Sequence, residues 1–339
     1  MNVVIPAKIP IWEKSKREKR KNRLVRLLIL LISVVVLINL AIKLPGIYKQ
    51  LNNPLPSLSG KDEKTQTLDT SFRTNLLLIS YESNRLVDAA VASFEPSDKK
   101  ITLLLFDLPN NKNIRLLTNR AFREDGVGAV SRYVGLNLGV ILDRYLAFDD
   151  EDNYFTGQNT LSIYKQIKSL SAPFKILSFG GTAAEDLKTN FSSRELLSLF
   201  WKLRGSELDE KDIISISDLR VDSLQSEELA TLVNNSFFDK DIVEESASVS
   251  IRNSSGVSGA AGYLTGIITT LGASVIEIET GEQTQERSFL IVKNSKPKLE
   301  KRLSSLVKLD KKSKSEEDFA GDVLIDLGKN AVGELTLPW

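Results

Sequence analysis

The chain has 339 residues with ordinary apolar and charged fractions, enough for two or three modest globular domains. It contains no cysteine and no histidine, which excludes disulfides, thiolate metal sites, cysteine nucleophiles and histidine bases. The net charge of +1 is uneven, because residues 1–26 sum to +7 and the remainder to −6. Since the remainder is mildly acidic, we expect no nucleic-acid partner.

An apolar run at 24–44, "LVRLLILLISVVVLINLAIKL", is the strongest signal in the sequence. As a helix it reaches about 30 Å, the hydrocarbon thickness of a bilayer. The basic segment 1–23 before it predicts a cytoplasmic tail, a single-pass transmembrane helix in the cell membrane, and an extracytoplasmic remainder. A cleaved signal peptide is the alternative, disfavoured by the length of the run and the missing A-x-A-like site. Exported chains without cysteine are typical of a bacterial envelope.

The first external domain is predicted at 73–238, after a stalk at 45–72 that is rich in Pro, Asn and Ser. Strand-like runs "TNLLLIS", "DAAVASFEP" and "KKITLLLFDLP" come first, and a short polar turn between the last two predicts a β-hairpin. A helix is predicted at "GAVSRYVGLNL" and a strand at "VILDRYLAFD". Ser192 and Glu195 stand in capping-box register before an amphipathic helix. Another helix is predicted at "LQSEELATLVNNSF".

A smaller module is predicted at 247–331, after an acidic linker at 239–246 and before a tail at 332–339. Strands are predicted at "SVSIRN", "ASVIEIE", "RSFLIV" and "GDVLIDLG", with helices at "AAGYLTGIITTL" and "KPKLEKRLSSLV". Strands that alternate with helices on short connections are typical of an α/β fold. The sequence therefore predicts an α/β protein: a transmembrane helix, a mixed α/β domain and a small α/β C-terminal domain.

A glycine turn precedes the first helix of the small module and comprises Asn253, Gly256, Gly259 and Gly262. A phosphate could bind there, because a helix N-terminus presents backbone amides to an anion. However, G-x-x-G-x-x-G matches neither the dinucleotide fingerprint nor the Walker loop, and no Lys-Ser/Thr follows. We therefore favour a structural turn over a phosphate site.

Residues 247–331 resemble the C-terminal domain of LytR-type cell-wall proteins in the order and spacing of their turn and strand-end residues. The matching positions are Asn253, Gly256, Gly259, Ala260, Ala261, Gly272, Leu327, Gly328 and Lys329. Residues 73–238 resemble a degenerate LytR-CpsA-Psr domain, in the strand "NLLLIS", the Arg85/Asp88 pair and "EPSDKKITLL". Members of that family transfer glycopolymers from a polyprenyl-pyrophosphate carrier to peptidoglycan or other wall acceptors.

The sequence departs from the LytR-CpsA-Psr pattern where that family carries its charges. The family's Pro-Arg-Asp reads "PNN" here, with Asn110 and Asn111 in place of the charged pair. The family's arginine-rich segment corresponds to "KQIKSLSAPFKILSFGGTAAEDLKTNF", which has no arginine. Arginine forks and a divalent metal are what stabilise a pyrophosphate leaving group. Arg85 and Asp88 are the residual candidate catalytic residues, so we expect transfer to be absent or much reduced.

Three functional hypotheses follow. The first is a non-catalytic envelope protein, without a cofactor or metal, that binds or scaffolds at the cell wall, on polyprenyl-linked glycan, or with other envelope proteins. The alternative is a divergent, Mg²⁺-dependent glycopolymer transferase, which predicts that Arg115, Arg120 or Arg123 converges on Asp88 around an apolar groove. The third is an interaction module without a ligand, which predicts a first domain with a filled core.

Overall fold

Two mixed β-sheets flanked by helices form the part of the chain that the computed structural model describes. The described residues are 68–83, 85–149, 187–217, 219, 223–306, 309–312 and 319–335. The two sheets confirm the predicted α/β class. The predicted transmembrane helix lies outside these residues. Inside the described ranges, no helix has both the length and the apolar character needed to cross a bilayer.

The first sheet has six strands in the spatial order β5-β4-β1-β2-β3-β6. In chain order they are β1 (Thr74–Glu82), β2 (Arg85–Glu95), β3 (Lys100–Leu105), β4 (Arg144–Asp149), β5 (Leu187–Thr189) and β6 (Ile213–Ser215). β2 and β3 are antiparallel, which confirms the predicted hairpin. β1 pairs with β2 in antiparallel and with β4 in parallel orientation. The central strands read as near-continuous apolar runs because both faces of this sheet are covered.

Among the described residues, three helices cover the two faces of the first sheet: α1 (Lys112–Leu138), α2 (Ser193–Arg204) and α3 (Glu227–Ser236). α1 and α3 pack on one face and α2 on the other. α1 is kinked at Asp125 and Gly126, whose φ of +64° is in the left-handed region that favours glycine. The predicted capping box of Ser192 and Glu195 is present at the start of α2.

The second sheet has five strands in the spatial order β10-β9-β11-β7-β8. They are β7 (Ser248–Asn253), β8 (Ser274–Thr280), β9 (Ser288–Val292), β10 (Leu309–Lys312) and β11 (Val323–Leu327), with helices α4 (Lys240–Glu245), α5 (Ala260–Leu271), α6 (Pro297–Leu306) and α7 (Lys329–Leu335). β7, α5 and β8 form a parallel crossover unit. α4 lies in the segment predicted as a linker, and α7 continues past 331 into the predicted tail.

A buried ion pair joins α6 of the second sheet to the first sheet, and the described residues all belong to one compact unit. Arg302 is 3% exposed and donates two hydrogen bonds to the Asp143 carboxylate, at 2.8 and 3.1 Å. Asp143 also accepts the backbone N–H of Asn75 in β1, at 2.8 Å. Burial opposes the charge of Arg302, but the Asp143 carboxylate outweighs it and raises the pKa of Arg302. This pair fixes the second sheet against the first.

Candidate functional site

Asp88 lies in β2 beside a β-bulge and is 2% exposed. The bulge leaves one extra residue, Val87, between the pairs that Leu86 and Asp88 make with β1. The Oδ1 atom of Asp88 accepts the backbone N–H of Ala89 at 2.8 Å and that of Leu108 at 3.2 Å. The carboxylate therefore ties the strand to the loop that follows β3.

Arg85 is exposed at the first position of β2, on the other side of the bulge from Asp88. Asn119 of α1 holds the strand between them. Its side chain accepts the N–H of Leu86 at 2.9 Å and donates to the Leu86 carbonyl at 3.2 Å. The two residual candidate residues thus lie in different environments, with Arg85 in solvent and Asp88 in the protein interior.

Three arginines of α1 were candidates to converge on Asp88. Arg120 pairs with Glu124 at 2.9 Å, and its side chain is 75% exposed. Arg123 is also exposed, whereas Arg115 is half-buried. Because Asp88 is buried, the solvent-facing positions of Arg120 and Arg123 do not match the convergence that the transferase alternative predicts.

Asn110 and Asn111, which replace a charged pair of the family pattern, both serve the local turn before α1. The Asn110 side chain donates to the two carboxylate oxygens of Asp107, at 2.9 and 3.1 Å. Asp107 itself has a φ of +47° and accepts a hydrogen bond from the Ser217 hydroxyl. Asn111 is the N-cap of α1 and accepts the N–H of Ile114 at 3.2 Å. These side chains fold the turn.

The space between the first sheet and its covering helices α1 and α3 is filled by apolar side chains. Fully buried members of this core include Leu77, Ile79, Leu104, Phe106, Val127, Val130, Val134, Leu229 and Val233. A filled core at this face is what the third hypothesis, an interaction module without a ligand, predicts. Nowhere in the described ranges are three or more acidic side chains grouped so that they could hold a metal ion.

The glycine turn has the geometry of a structural turn before α5. Gly256 and Gly259 have φ values of +75° and +82°, which favour glycine. The side chain of Asn253 donates to the Val257 carbonyl at 2.8 Å and accepts the Ser255 hydroxyl at 2.6 Å. Gly262, which was counted with the turn, lies inside α5, in agreement with the helix predicted at "AAGYLTGIITTL".

An open cleft of ≈ 490 Å³ lies where α5 of the second sheet meets α1 and α3 of the first. Its polar or aromatic lining residues are Asn137, Asn234, Tyr263, Thr269 and Thr270. Gly259, the N-cap of α5, and Gly262 and Gly266 within α5 also border it. None of the residues that line it is charged. The Thr270 hydroxyl donates to Asn234 Oδ1 at 2.7 Å, so one wall of the cleft is hydrogen-bonded across two helices.

The cleft was not predicted from the sequence. Gly262 and Gly266 stand four residues apart on one side of α5, and such spacing of small residues signals a close helix approach. The partner surface, however, comes from α1 and α3, and no local pattern indicates which helices those are. Gly139, the left-handed C-cap of α1, makes the close approach to Gly266: a Cβ at Gly139 would lie 3.1 Å from the Gly266 carbonyl oxygen.

Comparisons with known proteins give structural likenesses alone. No protein-family model and no curated protein matches the sequence. Among solved structures, the chain is similar to TagT bound to LIIa-WTA, with 14% identity over 48% of this chain and 86% of that chain and a TM-score of 0.30. It is also similar to TagV of B. subtilis, with 16% identity over 42% of this chain and 83% of that chain and a TM-score of 0.31. TagU of B. subtilis has 12% identity over 42% of this chain and 83% of that chain, with a TM-score of 0.28. All three likenesses have identities of 16% or less and TM-scores near 0.3.

Proposed function

We propose that the chain is a membrane-anchored, extracytoplasmic protein of a bacterial cell envelope that binds wall glycan, or its polyprenyl-linked precursor, without transferring it. The apolar run at 24–44 and the basic segment before it support the anchor and its direction. The sequence resemblance of 73–238 to the LytR-CpsA-Psr domain and of 247–331 to the LytR C-terminal domain supports the envelope role.

The proposal that the protein does not transfer glycan rests on how the polar groups around Asp88 are hydrogen-bonded. Transfer from a pyrophosphate carrier needs cations and donors aimed at the charge that develops in the transition state. Here the Asp88 carboxylate accepts two backbone N–H groups inside the protein, and Arg85 is exposed. Asn110 and Asn111 fold a turn and cap a helix. These structural roles support a protein that has the fold around Asp88 but does not catalyse glycan transfer.

The filled core under α1 supports recognition of the glycan rather than of the polyprenyl chain. A lipid chain needs an apolar volume of its own, and close-packed interiors leave no such space. Leu77, Phe106 and Val130 occupy the described face of the sheet beneath α1. We therefore expect binding affinity to reside in contacts with sugar residues.

An equilibrium binding experiment with the full-length protein in detergent micelles tests this function. The probe is a polyprenyl-pyrophosphate-linked glycan, with and without Mg²⁺, and the matched variant is Arg85→Gln/Asp88→Asn. Asparagine keeps an oxygen that can accept from Ala89 and Leu108, so the fold is preserved. We expect both proteins to bind equally and independently of Mg²⁺. No binding by the folded wild type would overturn the proposal, and loss of binding in the variant would favour the carrier site.

A further inference from the structure

We propose that the cleft between α1, α3 and α5 binds uncharged sugar residues of a glycan. The inference rests on the proposed function and names the surface that receives the ligand. The cleft lies at the meeting of the two sheets, so residues from both contribute to one site. Its volume of ≈ 490 Å³ falls in the range of about 300–1,000 Å³ that is usual for small-ligand sites.

The side chains in the cleft suit a ligand rich in hydroxyl groups. Asn137 and Asn234 supply amides, Thr269 and Thr270 supply hydroxyls, and Tyr263 supplies an aromatic ring. Amides and hydroxyls both donate and accept, as sugar hydroxyls do, and an amide that makes one hydrogen bond keeps capacity for others. An aromatic ring packs against the apolar C–H face of a sugar. The set therefore suits both the hydroxyl groups and the apolar C–H face of a sugar ring.

The absence of charge from the lining selects an uncharged ligand segment. A phosphate or carboxylate that entered the cleft would lose its hydrating water. No lysine or arginine among the lining residues would pair with its charge. The start of α5 borders the cleft at Gly259 and Gly262, so backbone amides, and no charged side chain, are what the lining offers to an anion. We therefore assign the cleft to neutral sugars and not to a pyrophosphate group.

The cleft is held in shape by contacts beneath it. The hydrogen bond from Thr270 to Asn234 joins α5 to α3 and orients the amide. Gly139 and Gly266 bring α1 and α5 together, since a Cβ at Gly139 would lie 3.1 Å from the Gly266 carbonyl oxygen. Gly262 differs, because a Cβ there would meet nothing within 4 Å. Space above Gly262 is therefore open to a ligand.

Gly262 allows the cleft to be filled without disturbing the helix, which makes Gly262→Leu the test variant. The matched control is Gly128→Leu in α1: Gly128 is also helical, does not line the cleft, and a Cβ there would lie 3.5 Å from Arg132 Nη1. Thr269→Val, at an exposed lining position, is a second variant that keeps shape and removes a hydroxyl. Calorimetric titration uses the full-length protein with tetramers of N-acetylglucosamine and of glucose, and with an anionic galacturonate tetramer.

We expect the wild type to bind an uncharged tetramer in preference to the anionic one. Gly262→Leu should weaken that binding by about tenfold or more and Thr269→Val by about threefold, with Gly128→Leu unchanged. Equal binding by wild type and both cleft variants would overturn the cleft while glycan binding stands. The cleft proposal would also be overturned if the wild type bound the lipid-linked glycan but neither uncharged tetramer, or if it preferred the galacturonate tetramer. A folded wild type that binds no glycan at all overturns both proposals.

Discussion

The surroundings of Asp88 and the cleft beside α5 use polar groups in opposite ways. Around Asp88, the carboxylate accepts backbone N–H groups, and Asn111 caps a helix. Asn110 donates to the side chain of Asp107 in the turn. In the cleft, amides, hydroxyls and a tyrosine border an open volume at the meeting of three helices. The region whose sequence resembles a catalytic site thus uses its polar groups within the fold, whereas the cleft turns polar groups toward an open volume.

This difference shows why single retained residues are weak evidence for chemistry. A buried carboxylate is stable only if its oxygens are hydrogen-bonded, and Asp88 meets that need with two backbone amides. These two hydrogen bonds give the carboxylate a role in folding. The cleft, by contrast, exposes polar groups to a concave surface, which is the arrangement from which ligands gain both hydrogen bonds and burial.

The largest expected effect tests the buried ion pair that joins α6 to the first sheet. Arg302→Met leaves the Asp143 carboxylate buried without its cation, so we expect the free energy of unfolding to fall by about 3–5 kcal/mol. The neighbouring Lys301→Met removes an ion pair with Asp69 whose lysine is 62% exposed, and should cost about 1 kcal/mol or less. Chemical denaturation measures both. Equal losses would mean that the junction does not hold the two sheets together.

A smaller effect tests the structural role of Asp88. Asp88→Ala removes the acceptor of the buried N–H groups of Ala89 and Leu108, so we expect a loss of about 1–3 kcal/mol of unfolding free energy. Asp88→Asn keeps an acceptor oxygen and should lose clearly less. The measurement is urea denaturation of the three proteins side by side. If alanine were as stable as aspartate, the carboxylate would be free of a folding role, and the comparison with the cleft would fail.

Asp322 extends the comparison to a carboxylate of the second sheet. The backbone N–H of Ser248, followed by the Asn294 amide, lowers the pKa of Asp322 from 3.8 to about 2. A depressed folded-state pKa stabilises the protein above the unfolded value, and that stability is lost as pH falls from about 4 to about 2. Asp322→Ala should cost about 1–2 kcal/mol at pH 7 and progressively less below pH 4. Thermal unfolding of both proteins between about pH 2 and pH 7 measures this loss. A stability difference between them that did not change with pH would contradict the prediction.

The smallest effect concerns two glycines near the cleft. Gly262→Ala should raise the unfolding free energy by about 0.5–1 kcal/mol, because the position is helical and its Cβ would meet nothing. Gly139→Ala should lower stability, because the residue has a φ of +66° and lies against α5. Thermal melts of the two variants give opposite shifts if the cleft is open above Gly262. A destabilised Gly262→Ala would show that this space is already occupied.

The sequence predicted the elements whose signals are local. The capping box of Ser192 and Glu195 and the end of α5 at Gly272, whose φ is +102°, depend on a few neighbouring residues. The β2–β3 hairpin likewise needs one short turn. The helix predicted at "AAGYLTGIITTL" has the observed bounds of α5, Ala260–Leu271, so Gly262, which was also counted with the turn, belongs to the helix.

The features that depend on distant residues could not be predicted. Arg302 lies in a charged helical stretch that reads as solvent-facing, and its partner Asp143 is 159 residues away in sequence. The segment 239–246 reads as an acidic linker, yet Ile242 is fully buried and Glu245 accepts the N–H groups of Lys298 and Leu299 at the start of α6. The acidic side chains there have helix partners that composition does not reveal.

The most direct test of the account is release of the polyprenyl carrier from a lipid-linked glycan. Full-length wild type and Arg85→Gln/Asp88→Asn are incubated with the polyprenyl-pyrophosphate glycan, peptidoglycan and Mg²⁺, and free carrier is quantified over time. We predict that the glycan binds and that neither protein releases carrier above the rate without protein. Release by the wild type that the double variant abolishes would contradict the account and establish a transferase.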